Sequence, residues 1–385
     1  MKTIHMFQTT PRIIMGPGAV AGIVDEVRRF AAQKVLIVTD PGIVKAGIID
    51  KVESILSKAG VVFSRFQDIE PDPRLEIAEA AAQFARHEGV DLIIGVGGGS
   101  SIDIAKITAI LVTNDQKLSS LVGIDLIPLP GLKTIIIPTT AGTGSEVTPI
   151  VILSDEDEQL KKGVVSPYLF PNTAILDPEL TAGMPPAVTA ATGMDALIHA
   201  IEAYTSKNAW PMTDMLALEA IKKIHKNLRA ACTNGSDLAA RAAMLEGSML
   251  AGMAFANAGV TAVHAFAYPI GATFHIPHGV ANSIMLIPVM EFNMSANLEK
   301  FADIAACLGV DTKGLGLQEA CLKGIAAVRS LAEDVNVPSR LLPFGIEKAD
   351  IPALAEGVLK VTRLLANNPR DLSKQDAERI YLSVL

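Results

Sequence analysis

Histidines are concentrated in one apolar stretch of the chain, which reads "HAFAYPIGATFHIPHG" from His264 to Gly279 and holds three of the seven histidines. A histidine in such surroundings is more often a hydrogen-bonded core residue than a metal ligand. Residues elsewhere in the chain must therefore decide between the two interpretations. Pro277 interrupts a helix between His275 and His278, so the two histidines need not share a face. We therefore interpret His275 as a residue of the pocket rather than as a metal ligand.

An aspartate and a histidine at helical spacing supply partners. The segment "VTAATGMDALIHAIEAYTS" predicts a helix in which Asp195 and His199 lie one turn apart on the same face. With His264 and His278 they make one carboxylate and three imidazoles, a donor set that suits a divalent transition metal. Iron(II) and zinc are the candidates, and donor type does not separate them. The alternative is an Asp–His hydrogen bond without a metal.

A glycine-rich turn follows an apolar strand in "DLIIGVGGGSSIDIAK". Gly97, Gly98 and Gly99 let the backbone adopt positive φ and let a pyrophosphate approach closely. Ser100 is predicted to cap the next helix, whose N-terminal N–H groups favour a phosphate. The same kind of turn also occurs without a ligand, and the pattern is not GxGxxG.

The carboxylate of Asp40 is predicted to select the cofactor. Asp40 ends the strand "VLIVTD", where a carboxylate accepts hydrogen bonds from an adenosine ribose and repels a 2′-phosphate. If a dinucleotide binds, this position favours NAD over NADP.

Short hydroxyl side chains follow another apolar strand, in "IIIPTTAGTGSEVT". They offer hydrogen-bond donors beside small residues, and a polar turn with capping residues is the alternative interpretation. These residues are Thr139, Thr140, Thr143, Ser145 and Thr148.

The elements that position these residues fall into two regions. From residue 34 the chain alternates short β-branched runs with helical stretches, which predicts crossover helices and a parallel sheet. After "AILDPELTAGMPPA" the strand signals end, and from Pro186 the spacing is helical almost to the C-terminus. We therefore predict a dinucleotide-binding α/β domain over residues 1–184 and a helical metal-binding domain over residues 185–385.

Composition argues against several classes of protein. The net charge of −8 comes from scattered charges without a basic stripe, which argues against nucleic acid as a partner. Cys232, Cys307 and Cys321 are far apart and form no CxxC, which is typical of a reducing cytoplasm. Neither a signal peptide nor a membrane span is predicted.

The motifs together resemble the iron-containing (group III) alcohol dehydrogenases. The resemblance rests on "GGGSSID", "PTTAGTGSEVT", "LDPEL", "GMPPAVTAATGMDALIHAIEAYTS", "GMAFANAGVTAVHAFAYPIG" and "IPHGVAN", and it extends to "NNPRDLSKQDAERIY" near the C-terminus. It implies a dehydroquinate synthase-like fold, with a Rossmann-like α/β N-terminal domain, an all-α C-terminal domain and the active site in the cleft between them. Members of the family commonly form dimers or larger assemblies.

The resemblance also implies roles for individual residues. It makes Asp195, His199, His264 and His278 the metal ligands. It places Gly97, Gly98, Gly99, Ser100 and Asp103 around the pyrophosphate. The rest of the dinucleotide site would be lined by Asp40, Asp72, Thr139, Thr140, Thr148 and Lys161.

This chain departs from the family pattern at Tyr268. Many members have a histidine four residues after the third metal ligand, where this chain has the tyrosine. Tyr268 either replaces that histidine as a member of a proton relay or packs beside the site. We count it, with the ligands His264 and His278, among the predicted catalytic residues.

The predicted function is a metal-dependent NAD(H) oxidoreductase that interconverts a small primary alcohol or diol and its aldehyde. Phe255, Phe266 and Phe274 predict a small apolar substrate pocket, although aromatic residues at helical spacing more often belong to the core. The alternatives are a non-redox metallohydrolase and a lyase resembling dehydroquinate synthase. We further predict a cytoplasmic homodimer, or a larger homo-oligomer, with no membrane partner.

Overall fold

A computed structural model describes residues 4–155 and 160–385 of the chain. The chain divides into an α/β unit, Gln8–Gly183, and a helical unit, which comprises Met184–Leu385 and residues 4–7. The predicted division placed those N-terminal residues in the first domain. In the structure the ring of His5 instead stacks on Trp210 of the helical unit, with ring centroids 4.9 Å apart.

The α/β unit holds all the described strands. They are β1 (Ile13–Met15), β2 (Lys34–Val38), β3 (Val62–Phe66), β4 (Leu92–Gly97), β5 (Gly123–Ile124), β6 (Lys133–Pro138), β7 (Ile150–Asp155), β8 (Leu160–Val165) and β9 (Thr173–Leu176). The helices of this unit are α1 (Ile23–Arg29), α2 (Pro41–Lys45), α3 (Ile48–Lys58), α4 (Leu75–Glu88), α5 (Gly99–Thr113) and α6 (Leu118–Leu121).

Six parallel strands form the main sheet in the order β1-β9-β6-β4-β2-β3. Alternate residues of its central strands lie in two different cores, with Leu36 and Ile93 in one and Ile37 and Ile94 in the other. Both faces of the sheet are therefore covered, which explains the uninterrupted apolar runs in the sequence. The strands β5, β8 and β7 form a second, smaller sheet in which β7 and β8 are antiparallel.

The strand order creates a ligand-binding position in the α/β unit. Strand β2 has β3 on one side and β4 on the other, so the chain passes from β2 to β3 and then crosses back to β4. Open α/β sheets bind ligands outside the carboxyl ends of strands at such a switch point. Asp40 follows β2 and Gly97 ends β4, so both lie at this position.

Every described element of the helical unit is a helix, as the spacing predicted. The α-helices are α7 (Pro186–Thr205), α8 (Pro211–Thr233), α9 (Leu238–Ala258), α10 (Ala262–Phe274), α11 (His278–Asn293), α12 (Leu298–Cys307), α13 (Leu317–Asp334), α14 (Ile351–Lys360), α15 (Thr362–Leu365) and α16 (Lys374–Ser383). Helix α7 is buried on nearly all sides from Gly193 onwards and packs against α8 and α9. Gly193 permits the close approach of α8, because a Cβ there would lie 2.4 Å from Leu228 Cδ1.

Among the described residues, no single helix is both long and apolar enough to cross a membrane. Helices α9 and α10 reach the required length and composition only as a pair, and they are bent by 101° at the break between them.

Candidate metal centre and dinucleotide site

Three of the predicted metal ligands form a buried cluster in the helical unit. Asp195 and His199 lie one turn apart on α7, and α10 brings His264 to them from a distant part of the chain. The Nε2 atoms of His199 and His264 are 3.0 Å apart, and His264 Nε2 is 3.9 Å from Asp195 Oδ1. One candidate ligand atom from each residue lies within 4.8 Å of the other two.

The fourth predicted ligand, His278, lies beside this cluster. It is the first residue of α11, and its Nε2 is 3.9 Å from Asp195 Oδ1. Its side chain is 37% exposed, whereas the other three residues are buried. Pro277 caps a new helix here, and His275 is exposed in a left-handed conformation at the end of α10. His275 is thus exposed, whereas the three residues of the cluster are buried.

Burial and mutual charge favour a cation in this cluster. Burial lowers the pKa of His199 to about 4, so its imidazole is neutral. Burial acts to raise the pKa values of Asp195 and Glu202, but neighbouring histidines outweigh it, and both pKa values are lowered. Burial also opposes charge on His264, but Glu202 raises its pKa overall. Two buried carboxylates beside facing imidazole nitrogens fit a divalent cation.

Two residues at this centre escaped the sequence analysis. Glu202 accepts a hydrogen bond from Nδ1 of His264 over 2.5 Å, and Asn282 donates one to Asp195 Oδ1 over 2.7 Å. The spacing on α7 contained a signal for Glu202, because a residue seven positions after Asp195 lies on the same helical face. Asn282 lies one turn after His278 on α11, so the same reasoning applied to that helix would have found it.

Tyr268 and two of the three phenylalanines also have defined positions. Tyr268 lies one turn after His264 on α10, with its ring centroid 6.3 Å from that of His278. The ring of Phe255 stacks on His199 at 4.4 Å and gives the centre an apolar wall. Phe266 is instead a core residue that packs edge-on against Tyr381.

The glycine turn in the α/β unit leaves the start of α5 accessible to a ligand. The helix begins at Gly99 with Gly98 as its N-cap, so the prediction that Ser100 is the cap was wrong. Glycine has no side chain to cap the first N–H groups, and a phosphate suits such a helix end. Gly97 has φ of 154°, and a Cβ there would lie 2.6 Å from Ser101 Oγ. Ser100 lies in the first turn.

Asp40 is anchored at the switch point by contacts within the protein. Its Oδ1 accepts hydrogen bonds from the N–H groups of Gly42 and Ile43 and so caps α2. Its Oδ2 accepts a hydrogen bond from Ser101 Oγ over 2.8 Å. A carboxylate has about four acceptor positions, so Oδ2 retains one for a ribose hydroxyl.

The loop that carries the predicted hydroxyl residues, residues 139–148, is called the threonine loop here and lies against the glycine turn. The N–H of Thr139 donates to the carbonyl oxygen of Gly97 over 3.0 Å, and the buried Thr139 hydroxyl has no hydrogen-bond partner among the described residues. Thr140 is close to Gly98, because a Cβ atom added to Gly98 would lie 3.5 Å from Thr140 Cγ2. Thr148 is buried. An unpartnered buried hydroxyl beside a glycine turn fits a bound dinucleotide.

Asp103 contacts the threonine loop through Oδ1 and strand β7 through Oδ2. Ser145 Oγ donates to Oδ1 over 2.6 Å, and the N–H of Ile152 donates to Oδ2 over 2.9 Å. Buried Lys106 lies 3.9 Å away and donates to the carbonyl oxygens of Ser145 and Ile150. Asp103 therefore positions the threonine loop against β7.

Asp72 and Lys161 pair with each other. Lys161 Nζ lies 2.7 Å from Asp72 Oδ1 and 3.2 Å from Ser154 Oγ. Ser154 Oγ donates in turn to the carbonyl oxygen of Asp72. The backbone of Asp72 is left-handed, with φ of 52°. The structure thus brings together two predicted cofactor residues that are far apart in the sequence.

A Rossmann-like unit with a glycine-lined helix start and a helical unit with a carboxylate–imidazole cluster define a metal-dependent dehydrogenase. A sequence model described as iron-containing alcohol dehydrogenase matches residues 10–178. A second, described as the C-terminal part of the Fe-containing alcohol dehydrogenase family, matches residues 189–385. The chain belongs to the iron-containing alcohol dehydrogenase family.

Individual relatives are similar over almost their whole length. Long-chain-alcohol dehydrogenase 1 of Geobacillus thermodenitrificans (strain NG80-2) is 44% identical over 370 residues, which are 95% of this chain and 93% of that protein. A 1,3-propanediol oxidoreductase of known crystal structure is 39% identical in sequence, and its structure matches with a TM-score of 0.97. The match covers 99% of this chain and 100% of that one. The structure of sulfoacetaldehyde reductase from Bifidobacterium kashiwanohense in complex with NAD+ is 28% identical with a TM-score of 0.89, covering 99% of both chains. The predicted family and fold class are confirmed.

Proposed function

We propose that this protein is a metal-dependent NAD(H) oxidoreductase that interconverts a small primary alcohol or diol and its aldehyde. The observation that carries the proposal is the buried cluster of Asp195, His199 and His264, because buried carboxylates and imidazoles at these distances suit a divalent cation. Iron(II) is the favoured ion because of the family, and zinc or another divalent metal is compatible with the same donors.

Four side chains would hold the ion, and Asn282 would orient one of them. The ligands are Asp195, His199, His264 and His278. When bound, a divalent cation acts as a Lewis acid that lowers the pKa of an alcohol or polarises an aldehyde carbonyl. Asn282 directs the carboxylate of Asp195 through its amide hydrogen bond.

The residues of the α/β unit would bind the dinucleotide. When bound, the dinucleotide would supply the hydride acceptor for alcohol oxidation and the hydride donor for aldehyde reduction. The proposed phosphate site is the start of α5 with its glycine turn, and the carboxylate of Asp40 would face the adenosine ribose. The other proposed cofactor residues are Ser100, Asp103, Thr139, Thr140, Thr148, Asp72 and Lys161.

The proposed role of Tyr268 is packing beside the site. A phenol with an ordinary pKa near 10 is a poor base at neutral pH, although its hydroxyl can pass a proton along a hydrogen-bonded chain. We therefore propose that the proton released on alcohol oxidation reaches solvent without an obligatory step at the Tyr268 hydroxyl.

The substrate class is supported by the names of the relatives and by the local surface. Those names span a long-chain alcohol, 1,3-propanediol and sulfoacetaldehyde, which supports a primary alcohol, a diol or an aldehyde as the substrate class. Phe255 beside His199 favours an apolar carbon chain next to the reacting group. Family membership favours the oxidoreductase over the metallohydrolase and the dehydroquinate synthase-like lyase.

A reconstitution experiment tests the proposal. Protein stripped of metal is supplied with iron(II), zinc, manganese or no metal, and NADH absorbance is followed with a panel of small alcohols, diols and aldehydes. We expect turnover that depends on an added divalent metal and on a primary alcohol or aldehyde. Equal rates with and without metal, or no binding of NADH by fluorescence, would contradict the proposal.

We also propose a cytoplasmic location and a homodimer or larger homo-oligomer. The three cysteines Cys232, Cys307 and Cys321 are free in the structure, which is compatible with a reducing compartment. The family resemblance supports the assembly, and sedimentation analysis of the purified protein would test it.

A further inference from the structure

The carboxylate of Glu202 contacts His264 and the residues immediately before it. Glu202 is 1% exposed and lies on α7, on the same face as Asp195. Its Oε1 accepts hydrogen bonds from Thr261 Oγ1 and from the N–H of Val263, each over 2.7 Å. Its Oε2 lies 2.5 Å from His264 Nδ1. One buried side chain thus holds three of the four residues from 261 to 264 at the start of α10.

The start of α10 depends on side chains from distant elements. Thr261 is the N-cap, and its own side chain does not cap the helix. The N–H of Ala262 donates to Asn368 Oδ1 over 3.3 Å, and the N–H of Val263 donates to Glu202. His264 follows directly, so the two supports act on the same turn of the helix. Glu202 also forms a hydrogen bond with the imidazole of His264, whereas Asn368 contacts the backbone of Ala262.

We propose that Glu202 is a positioning residue that sets the tautomer of His264, with the proton on Nδ1 and the lone pair of Nε2 directed at the metal centre. The carboxylate has only acceptor positions when ionised, so the hydrogen at this contact must belong to Nδ1. A metal-binding histidine commonly donates its second ring N–H to a carboxylate in this way. The inference rests on the proposed metal-dependent function.

Replacing Glu202 by glutamine reverses the hydrogen-bond polarity while it preserves the shape. The amide oxygen of Glu202→Gln would still accept from Val263 and Thr261. The amide N–H₂ would then face Nδ1 of His264 and would favour a lone pair there, which moves the ring proton to Nε2. That tautomer has no lone pair at the atom that lies 3.0 Å from His199 Nε2.

The test compares Glu202→Gln with Glu202→Ala and with Asn368→Ala. Glu202→Ala removes the charge but leaves His264 free to take either tautomer. Asn368→Ala weakens the same helix start without touching His264. Each stripped protein is titrated with cobalt(II), followed by visible absorbance, and with zinc(II) in competition with a chelator. The melting temperature of each stripped protein reports its folding.

We expect Glu202→Gln to weaken cobalt(II) and zinc(II) binding by about 10- to 100-fold, and more than Glu202→Ala does. Asn368→Ala should lower the melting temperature and leave metal affinity nearly unchanged. Wild-type affinity in Glu202→Gln would overturn the inference, as would an equal loss in Asn368→Ala or a larger loss in Glu202→Ala. If the wild-type protein itself binds neither cobalt nor zinc, the proposed metal-dependent function fails and the inference fails with it.

Discussion

The Nε2 atoms of His199 and His264 face each other 3.0 Å apart in the buried interior of the helical unit. The two histidines come from different helices, α7 and α10, and 64 residues separate them in the sequence. Two neutral imidazoles can share one proton at this distance, and a cation between them and Asp195 would instead use both lone pairs.

Removal of one of these nitrogens should therefore remove the metal. We expect His264→Ala to lower metal content and abolish turnover while NADH still binds, because the proposed dinucleotide residues belong to the α/β unit. Metal content is measured by elemental analysis and NADH binding by fluorescence. The matched control is His275→Ala, which changes an exposed histidine 11 positions along the chain and should retain metal and activity. Unchanged metal content in His264→Ala would refute the ligand assignment, and full activity with lowered metal content would show that turnover does not need the metal.

The charge of Asp40 should determine the choice of cofactor. Asparagine is also a good N-cap, so Asp40→Asn keeps the cap on α2 and removes the negative charge. We expect the ratio of catalytic efficiencies with NADP and NAD to rise about 10- to 100-fold, which corresponds to ~1–3 kcal/mol of relieved repulsion. Asp40→Gly should shift the ratio in the same direction. An unchanged ratio in both variants would show that Asp40 does not face the ribose.

The hydroxyl of Tyr268 should contribute little to the rate. Tyr268→Phe keeps the ring near His278 and removes only the oxygen. We expect the rate of alcohol oxidation to fall by less than about 10-fold, which is under ~1.4 kcal/mol of activation free energy. Tyr168→Phe, at an exposed position in the α/β unit, is the control. A 100-fold loss with normal metal content and NADH affinity would instead make Tyr268 a proton carrier.

Buried Glu146 should make stability depend on pH. Burial raises the pKa of Glu146 to about 7 from 4.5, so the folded protein keeps a proton that the unfolded chain releases. The contribution of Glu146 to the free energy of unfolding is fully present below pH 4.5. It is lost as the pH rises from 4.5 to about 7. We expect Glu146→Gln to gain ~1–3 kcal/mol over the wild-type protein at pH 8 and much less at pH 5.

Thermal unfolding at the two pH values measures this difference for Glu146→Gln. Glu79→Gln is the matched control, because Glu79 is exposed on α4 in the same unit. The difference in melting temperature between variant and wild-type protein should grow from pH 5 to pH 8 for Glu146→Gln alone. The same difference at both pH values would show that Glu146 is ionised throughout.

Features encoded within one or two helical turns could be predicted from the sequence. The spacing of Asp195 and His199 placed them on one face of a helix, and the glycines after β4 indicated a helix start that suits a phosphate. The alternation of strands and helices likewise indicated a parallel sheet. These predictions succeed because helical and strand periodicity depend on residues that are close together in the chain.

Only the tertiary structure decided which distant side chains meet, because packing and burial depend on the whole fold. It joined Asp103 to Ser145 and Ile152, and it joined Ser101 to Asp40. It also placed Glu202 against His264, where the low polarity of the interior makes an unpaired carboxylate costly. The sequence by itself determined which residues could bind a metal and a dinucleotide, and the fold determined their partners and their orientation.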